Sequence, residues 1–348
     1  MTDILRLAVD VMGGDFGPQV TIPASLAFLK NNPSVLITFY GDSKKITDQI
    51  SSCPDSQIIS ADRFKVLHCT SSVSMAEKPS FSVRNQKKSS MWQALESLKA
   101  GTADACISSG NTGSLMAMSQ IQLGCIDGIG RPAICTKIPT LNCETSLIND
   151  YTYLLDIGAN VTCSGEQLYN FSLMASQKAS IIEGVSSPVV GLLNIGTEDT
   201  KGREELHDAA KLIKADKNIN YLGYVEGDSL FKGMVDIAVC DGFTGNIVLK
   251  TIEGLAFLSQ TQLKTELSSS YLGRLGKFLA GASLRNFYKK LDPSLYNGAT
   301  FLGLNNVVVK SHGSASIKSF YSALSVATTE AKYDLPCKIE KKLLIHKQ

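Results

Sequence analysis

The chain has 348 residues, 44% of them hydrophobic and 19% charged, with a formal net charge of +2. That length and balance describe a large globular protein, one domain or two closely packed lobes, and exclude wholesale nucleic-acid binding, which needs a strong basic excess. Nine scattered cysteines without a C-x-x-C pair point to reduced thiols rather than a disulfide framework or metal site. With no run of 18 apolar residues and no leader-type N-terminus, the expected location is the cytoplasm.

Ile4 to Val11 reads as a buried strand ending in Met12-Gly13-Gly14-Asp15-Phe16-Gly17-Pro18, followed by a helix from Val20 to Lys30. Strand, glycine turn and helix open a βαβ unit. Val35 to Tyr40 is the next strand, Ser43 to Ser51 a helix and Phe64 to Cys69 a third strand; Ser71 to Ser82 reads as a polar loop. Met91, Leu95 and Leu98 recur at helical spacing between Val83 and Ala100, with Gly101 as the stop. Ala105 to Ser108 is a short buried-type strand that breaks into Ser109-Gly110-Asn111-Thr112-Gly113 and then a helix.

Pro132 to Ile138 and Tyr153 to Ile157 follow as strands, with a loop or excursion from Leu141 to Asp150 between them. Ser164 and Gln167 match a capping box for a helix from Gly165 to Ile182. Strands then fall at Val189 to Ile195, Ile219 to Tyr224 and Val235 to Cys240, with a helix ending near Ala215 among them and a long one running on to about Leu267. Val307 to Lys310 is the last strand, Ser314 to Lys332 the last helix, and 334–348 a peripheral tail. Alternating strands and helices predict a mainly parallel, doubly wound α/β sheet. The reading is one catalytic domain over 1–333 with a basic, apolar helical excursion at 268–296.

In such sheets ligands bind beyond the carboxyl ends of the strands. Five polar glycine segments fall there: Gly13 to Gly17, Gly110 to Gly113, Gly158 to Asn160, Gly196 to Gly202 and Asp241 to Asn246. Backbone donors with few titratable residues suit anion binding and transfer at an electrophilic centre. The Ala105–Met118 stretch is either a phosphate cradle or an ordinary βα turn. Lys201 is either a point charge for phosphate or a solvated lysine; Asn246 either donates to a carbonyl oxygen or caps its helix. His312, in Lys310-Ser311-His312-Gly313, is the one histidine of four in a suggestive setting. H-E-x-x-H, G-x-S-x-G, Walker A and G-x-G-x-x-G patterns are missing. Tyr271 to Leu291 mixes Leu272, Leu275, Phe278 and Leu279 with Arg274, Lys277 and Arg285 and holds no acid, which suits an anionic membrane surface or an acidic partner, or a helical hairpin packed in a subunit interface.

The chain resembles the bacterial phosphate acyltransferases of phospholipid synthesis along nearly its whole length. The resemblance rests on AVDVMGGDFGP from Ala8, SSMWQALESLKAGTADACISSGNTGSLMA from Ser89, LLDIGAN from Leu154, VGLLNIGTEDTKG from Val190, VEGDSLFKGMVDIAVCDGFTGNIVLKT from Val225 and NGATFLGLNNVVVKSHGS from Asn297. It implies a fold similar to phosphotransacetylases and to isopropylmalate and isocitrate dehydrogenases. It further implies a peripheral membrane homodimer that moves a fatty acyl group from acyl carrier protein to inorganic phosphate, without a cofactor or metal. The acyl phosphate then passes to a glycerol-3-phosphate acyltransferase.

The family's functional lysine falls on Lys201 and its asparagine on Asn246. Asp10, Gly13, Gly14, Ser109, Gly110, Asn111, Thr112, Gly113, Asn160, Asp241 and His312 are the expected phosphate or substrate contacts. Arg84, Lys87 and Lys88, in a basic patch thinner than is usual in the family, join Leu272, Arg274, Leu275, Lys277, Phe278 and Arg285 as expected contacts for carrier or membrane. An acyl-coenzyme A phosphotransacylase and a non-catalytic membrane scaffold are the competing readings.

Overall fold

The computed structural model describes residues 4–141, 147, 148, 150–290 and 293–346. Among them, strands β1 (Leu5–Asp10), β2 (Val35–Gly41), β3 (Phe64–His68), β4 (Ala105–Ser108), β5 (Ala133–Pro139), β6 (Tyr151–Leu155), β7 (Val189–Leu193), β8 (Asn220–Val225), β9 (Ile237–Val239), β10 (Ala299–Leu302) and β11 (Val307–Lys310) form one sheet. Its order is β3-β2-β1-β4-β11-β10-β5-β6-β9-β7-β8. The helices are α1 (Pro18–Asn31), α2 (Ser43–Ser52), α3 (Pro79–Asn85), α4 (Ser90–Lys99), α5 (Thr112–Leu123), α6 (Gly165–Glu183), α7 (Glu204–Ala215), α8 (Ser229–Lys232), α9 (Gly242–Ser269), α10 (Tyr271–Leu279), α11 (Gly281–Lys290), α12 (Ile317–Lys332) and α13 (Leu335–His346).

The expected α/β architecture is present, with a twist in its direction. Strands β3, β2, β1, β4 and β11 run parallel to one another, and so do β6, β9, β7 and β8. Between the two blocks lie three antiparallel pairings, β11 with β10, β10 with β5 and β5 with β6, so the second block runs opposite to the first. In a flat sheet this would send the two sets of carboxyl ends to opposite edges. Sheets twist by about 20–25° per strand, however, and β1 and β9 are six steps apart in the order above. The accumulated rotation of roughly 120–150° offsets most of the reversal, and α9, which starts after β9, reaches the turn after β11 through Lys250 and His312.

Three buried apolar clusters hold this arrangement. One joins α1 and α12 to the first block through Ile22, Phe28, Phe320 and Leu324, and one joins α6 and α7 to the second through Phe171, Met174 and Leu206. The third contains Val308 of β11 and Leu115 of α5 together with Ala238 of β9 and Leu193 of β7, so it ties the blocks to each other. The Ser164–Gln167 capping box starts α6 as expected.

Four local expectations are corrected. The Ser71–Ser82 loop gives way at Pro79 to α3, and the helix predicted from Val83 is two helices broken at Gln86 to Ser89, where the Ser89 hydroxyl accepts from the Trp92 N–H and starts α4. Strand β10 was not expected at all: four residues bracketed by Gly298 and Gly303, both at positive φ, carry too short a pattern to separate strand from loop. The segment expected as a peripheral tail forms α13, because Leu335, Ile339 and Leu343 recur at four-residue spacing and are buried in the core.

Candidate active site

The first rim is formed by the ends of β1, β4 and β11. Asp10, the last residue of β1, is buried and accepts from the hydroxyls of Ser90 (2.6 Å) and Ser108 (2.7 Å) and from the Met12 backbone N–H. Burial pushes its carboxyl up, against those donors and the attraction of Lys310. The Ser109 hydroxyl donates to the Gly13 carbonyl at 2.8 Å, and the Gly110 N–H donates to Ser108 Oγ at 3.0 Å. A side chain at Gly13 would meet the Gly110 nitrogen at 2.6 Å and Asp10 at 2.8 Å, so the two glycine turns touch backbone to backbone. Gly14 lies against the Gly313 carbonyl at φ +83, and the Asp15 N–H donates to that carbonyl at 2.8 Å.

Asn111 caps α5 by accepting from the Ser114 N–H at 2.9 Å and donates through Nδ2 to the carbonyls of Met75 and Glu77. Thr112 opens the helix beside it, half-buried, and Gly113 is exposed and packs on Pro79. Thus Asp10, Gly13, Gly14, Ser109, Gly110, Asn111, Thr112, Gly113 and His312 all lie at the first rim.

The second rim is formed by the ends of β6, β7 and β9. Asp156, buried directly after β6, accepts from the backbone N–H groups of Ile134, Gly158, Ala159 and Asn160. Its carboxyl is pushed up by burial and held back by those amides. Asn160 is buried, and its Nδ2 donates to the Pro132 carbonyl (2.9 Å) and to Asp156 (3.0 Å); its amide N–H groups are spent bracing the loop. Asp241 caps α9 by accepting from the Thr244 N–H at 2.7 Å and pairs with Arg203.

Asn246 is exposed in the first turns of α9, beside Gly158, where a Cβ would come within 3.8 Å of it. Lys201 lies in the turn after β7, next in the sheet to β9. Its ammonium pairs with Glu198 at 3.0 Å, its stem packs on Gly196, and the Asn194 side chain donates to its carbonyl at 2.9 Å. The pairing lowers the Glu198 carboxyl. Lys201 and Asn246 therefore share the second rim.

Helix α9 joins the rims. Lys250 lies four residues beyond Asn246, on the same helical face, and its ammonium meets His312 Nε2 at 3.0 Å and Glu253 at 2.7 Å. His312 is oriented by Ser314, whose hydroxyl lies 2.9 Å from Nδ1. Lys310, buried at the end of β11, donates to the carbonyls of Ser109 (3.3 Å) and Ser311. Burial pulls its ammonium down to about 8, opposed by the attraction of Asp10. Sequence reading passed over Lys250, Lys310 and Asp156. The signals were present in the four-residue spacing from Asn246 to Lys250 and in the repeat of a strand followed by aspartate and glycine at Asp10 and Asp156.

The expected docking residues fall in two places. Arg84 is on α3, and Lys87 and Lys88 follow it; all three are exposed, and Lys87 lies 5.9 Å from the centre of the Trp92 ring. Because Pro79 of α3 packs on Gly113, this patch borders the first rim. Leu272, Arg274, Leu275, Lys277 and Phe278 are exposed on α10, with Leu272 and Phe278 each 82% accessible. The side chain of Arg285 on α11 lies outside the described residues. Among those residues no helix is long and apolar enough to cross a membrane, and no group of three metal-ligating side chains occurs. A cavity of about 440 Å³ adjoins the Lys201 turn, between Thr197, Asp199, Lys214 and Tyr224.

This arrangement has known counterparts. Phosphotransacetylase from Streptococcus pyogenes superposes with a TM-score of 0.61 at 14% identity, covering 94% of each chain. 4-Hydroxythreonine-4-phosphate dehydrogenase from Klebsiella pneumoniae superposes at 0.53 and 12% identity, covering 95% of this chain and 99% of its own; at such identities the likeness concerns the fold. The sequence is 42% identical to the phosphate acyltransferase of Shewanella halifaxensis over 339 residues, covering 97% of this chain and 96% of the relative. It is 43% identical to that of Pseudomonas syringae pv. syringae over 337 residues, with the same coverage. The model of the fatty acid synthesis protein family matches residues 5–338, and with both rims lying inside that span the chain belongs to this family.

Proposed function

We propose that this chain transfers a fatty acyl group from an acyl carrier protein thioester to inorganic phosphate, giving an acyl phosphate for phospholipid synthesis. The observation that supports the reading is the link between the two rims through α9, where Lys250 reaches His312, with glycine turns on one rim and an exposed amide and an exposed lysine on the other. Phosphate sits at the Gly110–Gly113 turn, one of its oxygens attacks the thioester carbonyl, and Asn246 with nearby backbone N–H groups stabilises the oxyanion. Lys201 supplies positive charge as the tetrahedral intermediate forms. The intermediate collapses with loss of the carrier's thiolate. A thiol of pKa ~8.5 leaves readily, and a phosphate oxygen is already a nucleophile, so orientation carries the reaction without a covalent acyl-enzyme.

The chain works in this reading as a homodimer at the cytoplasmic face of the membrane. The apolar residues of α10, interleaved with Arg274 and Lys277, meet anionic lipid there, while Arg84, Lys87 and Lys88 meet the acidic carrier. The product passes to a glycerol-3-phosphate acyltransferase. The test is thiol release from an acylated carrier protein, with and without inorganic phosphate, beside detection of acyl phosphate. Phosphate-dependent release that is much faster from the carrier than from acyl-coenzyme A supports the reading. Equal rates favour a coenzyme A enzyme, and no release at any phosphate concentration leaves a scaffold.

A further inference from the structure

Three basic side chains from two separate segments converge on the first rim: Lys250 from α9, and Lys310 and His312 from the end of β11 and the turn that follows it. The Lys250 ammonium lies 3.0 Å from His312 Nε2. Burial depresses the protonation of His312 and of Lys310; Lys250 and Lys310 add to this at His312 and Lys250 adds to it at Lys310, against Glu253, Asp10 and Asp15, so the three share one field. Their acidic neighbours offset them only in part, with Asp15 attracting His312 and Lys310. Asp10 is buried and taken up by two serine hydroxyls. Lys310 makes no ion pair among the described residues and is held by two backbone carbonyls. Glu253 pairs with Lys250 from the same helix at 2.7 Å and sits 3.8 Å from His312. Two lysines and an imidazole thus share the one carboxylate that pairs with them among the described residues, and an added anion gains from the remaining positive field.

We infer that Lys250, His312 and Lys310 bind the inorganic phosphate, with Lys250 and His312 gripping it at the cleft mouth and Lys310 backing it from beneath the Ser109–Gly110 turn. The inference rests on the reading above and deepens it by naming the cations that complete the glycine cradle. The geometry suits the reaction. Four residues of α-helix rise about 6 Å, so phosphate at Lys250 lies one turn from the Asn246 amide, and the thioester carbonyl fits between them. Binding across α9 and β11 also draws the two blocks of the sheet together around the phosphate.

The inference is tested on the full chain by equilibrium dialysis with radiolabelled inorganic phosphate and no thioester, which does not depend on turnover. Lys250→Ala and His312→Gln are the variants, since both side chains are about half exposed and their loss spares the core. Each lost charged hydrogen bond weakens binding roughly 10- to 100-fold, and Lys250→Arg restores most of it. In turnover assays the KM for phosphate rises by a similar factor in Lys250→Ala, whereas the KM for the thioester does not. Phosphate affinity unchanged in both variants overturns the inference, as does a wild-type chain that binds no phosphate. A rise confined to the thioester KM also overturns it, because the trio would then serve the phosphodiester of the carrier's own arm. Should phosphate bind as described while thiol release fails, the assigned reaction is wrong and the site stands.

Discussion

Each block of the sheet carries a buried aspartate at the end of its leading strand, Asp10 after β1 and Asp156 after β6, and the two are satisfied in different ways. Asp156 takes backbone N–H groups from Ile134, Gly158, Ala159 and Asn160, and so fixes the course of a loop. Asp10 takes two serine hydroxyls, from Ser90 and Ser108, with a single backbone N–H, from Met12, and lies in the field of Lys310. A backbone donor cannot turn away when its acceptor is lost, whereas a hydroxyl rotates to another partner. The second rim is therefore braced, and the proposed catalytic groups Lys201 and Asn246 stand on it. The first rim is a charged site in which buried and exposed groups share one field.

Removing the aspartates sharpens this contrast most. Asp156→Ala leaves four buried or half-buried N–H groups without an acceptor, and its expected cost is roughly 3–5 kcal/mol of folding stability. Asp10→Ala, with rotatable donors, costs about 1–2 kcal/mol. Denaturant titration of both variants checks the order, and equal losses would remove the distinction between brace and field. Next come the working groups of the second rim. Loss of one well-placed oxyanion donor typically costs about 10²- to 10³-fold in rate. Asn246→Ala and Lys201→Ala should lose that much in kcat with denaturation midpoints close to wild type. Full activity in either variant removes that residue from the mechanism.

Much of the first rim is legible in the amino-acid sequence because its signals are local. Strand β1 is a run of apolar residues closed by aspartate and two glycines, and the Gly110–Gly113 turn reads directly from the break between an apolar strand and a helix start. The cleft is not legible in the same way. It depends on the reversal between the blocks, and that hangs on β10, whose four residues Ala299–Leu302 have no pattern of their own and take strand form by pairing with β5 and β11. Lys310 illustrates a second limit. Its place at a strand end is plain from Val307-Val308-Val309, but its burial comes from the turn after β4, some 200 residues earlier in the chain.

That burial has a consequence for stability opposite in sign to its consequence for binding. The folded-state value of Lys310 is about 8, below the ordinary lysine value of 10.5. Between those two pH values the unfolded chain holds the proton and the folded chain does not, so stability rises with pH there. Below about 8 both states are protonated, and the full cost of burying the ammonium is present, on the order of 3 kcal/mol. Asp10 and Asp15 attract the charge, while Lys250 repels it. Lys310→Met should thus be more stable than wild type at pH 7, with the advantage shrinking toward pH 10.5, and yet bind phosphate more weakly. Stability curves of the two proteins at pH 7 and pH 10 decide this. A variant less stable at pH 7 would mean that the carbonyl contacts outweigh the buried charge.

The smallest expected effect separates the two rims as docking surfaces. Exposed charge pairs contribute about 0.2–1 kcal/mol each and are screened over about 10 Å at 0.1 M salt, so the KM for an acylated carrier should rise several-fold as sodium chloride is raised. Arg84, Lys87 and Lys88 border the first rim, while Arg274 and Lys277 stand on α10, beyond the arm formed by α9. Replacing the first three with alanine should flatten the salt dependence, and replacing the last two should leave it but weaken binding to vesicles containing anionic lipid. If the two sets exchange these effects, the carrier approaches along the arm, and the short path from the α3 patch to Gly113 is not the route by which its acyl group reaches the cleft.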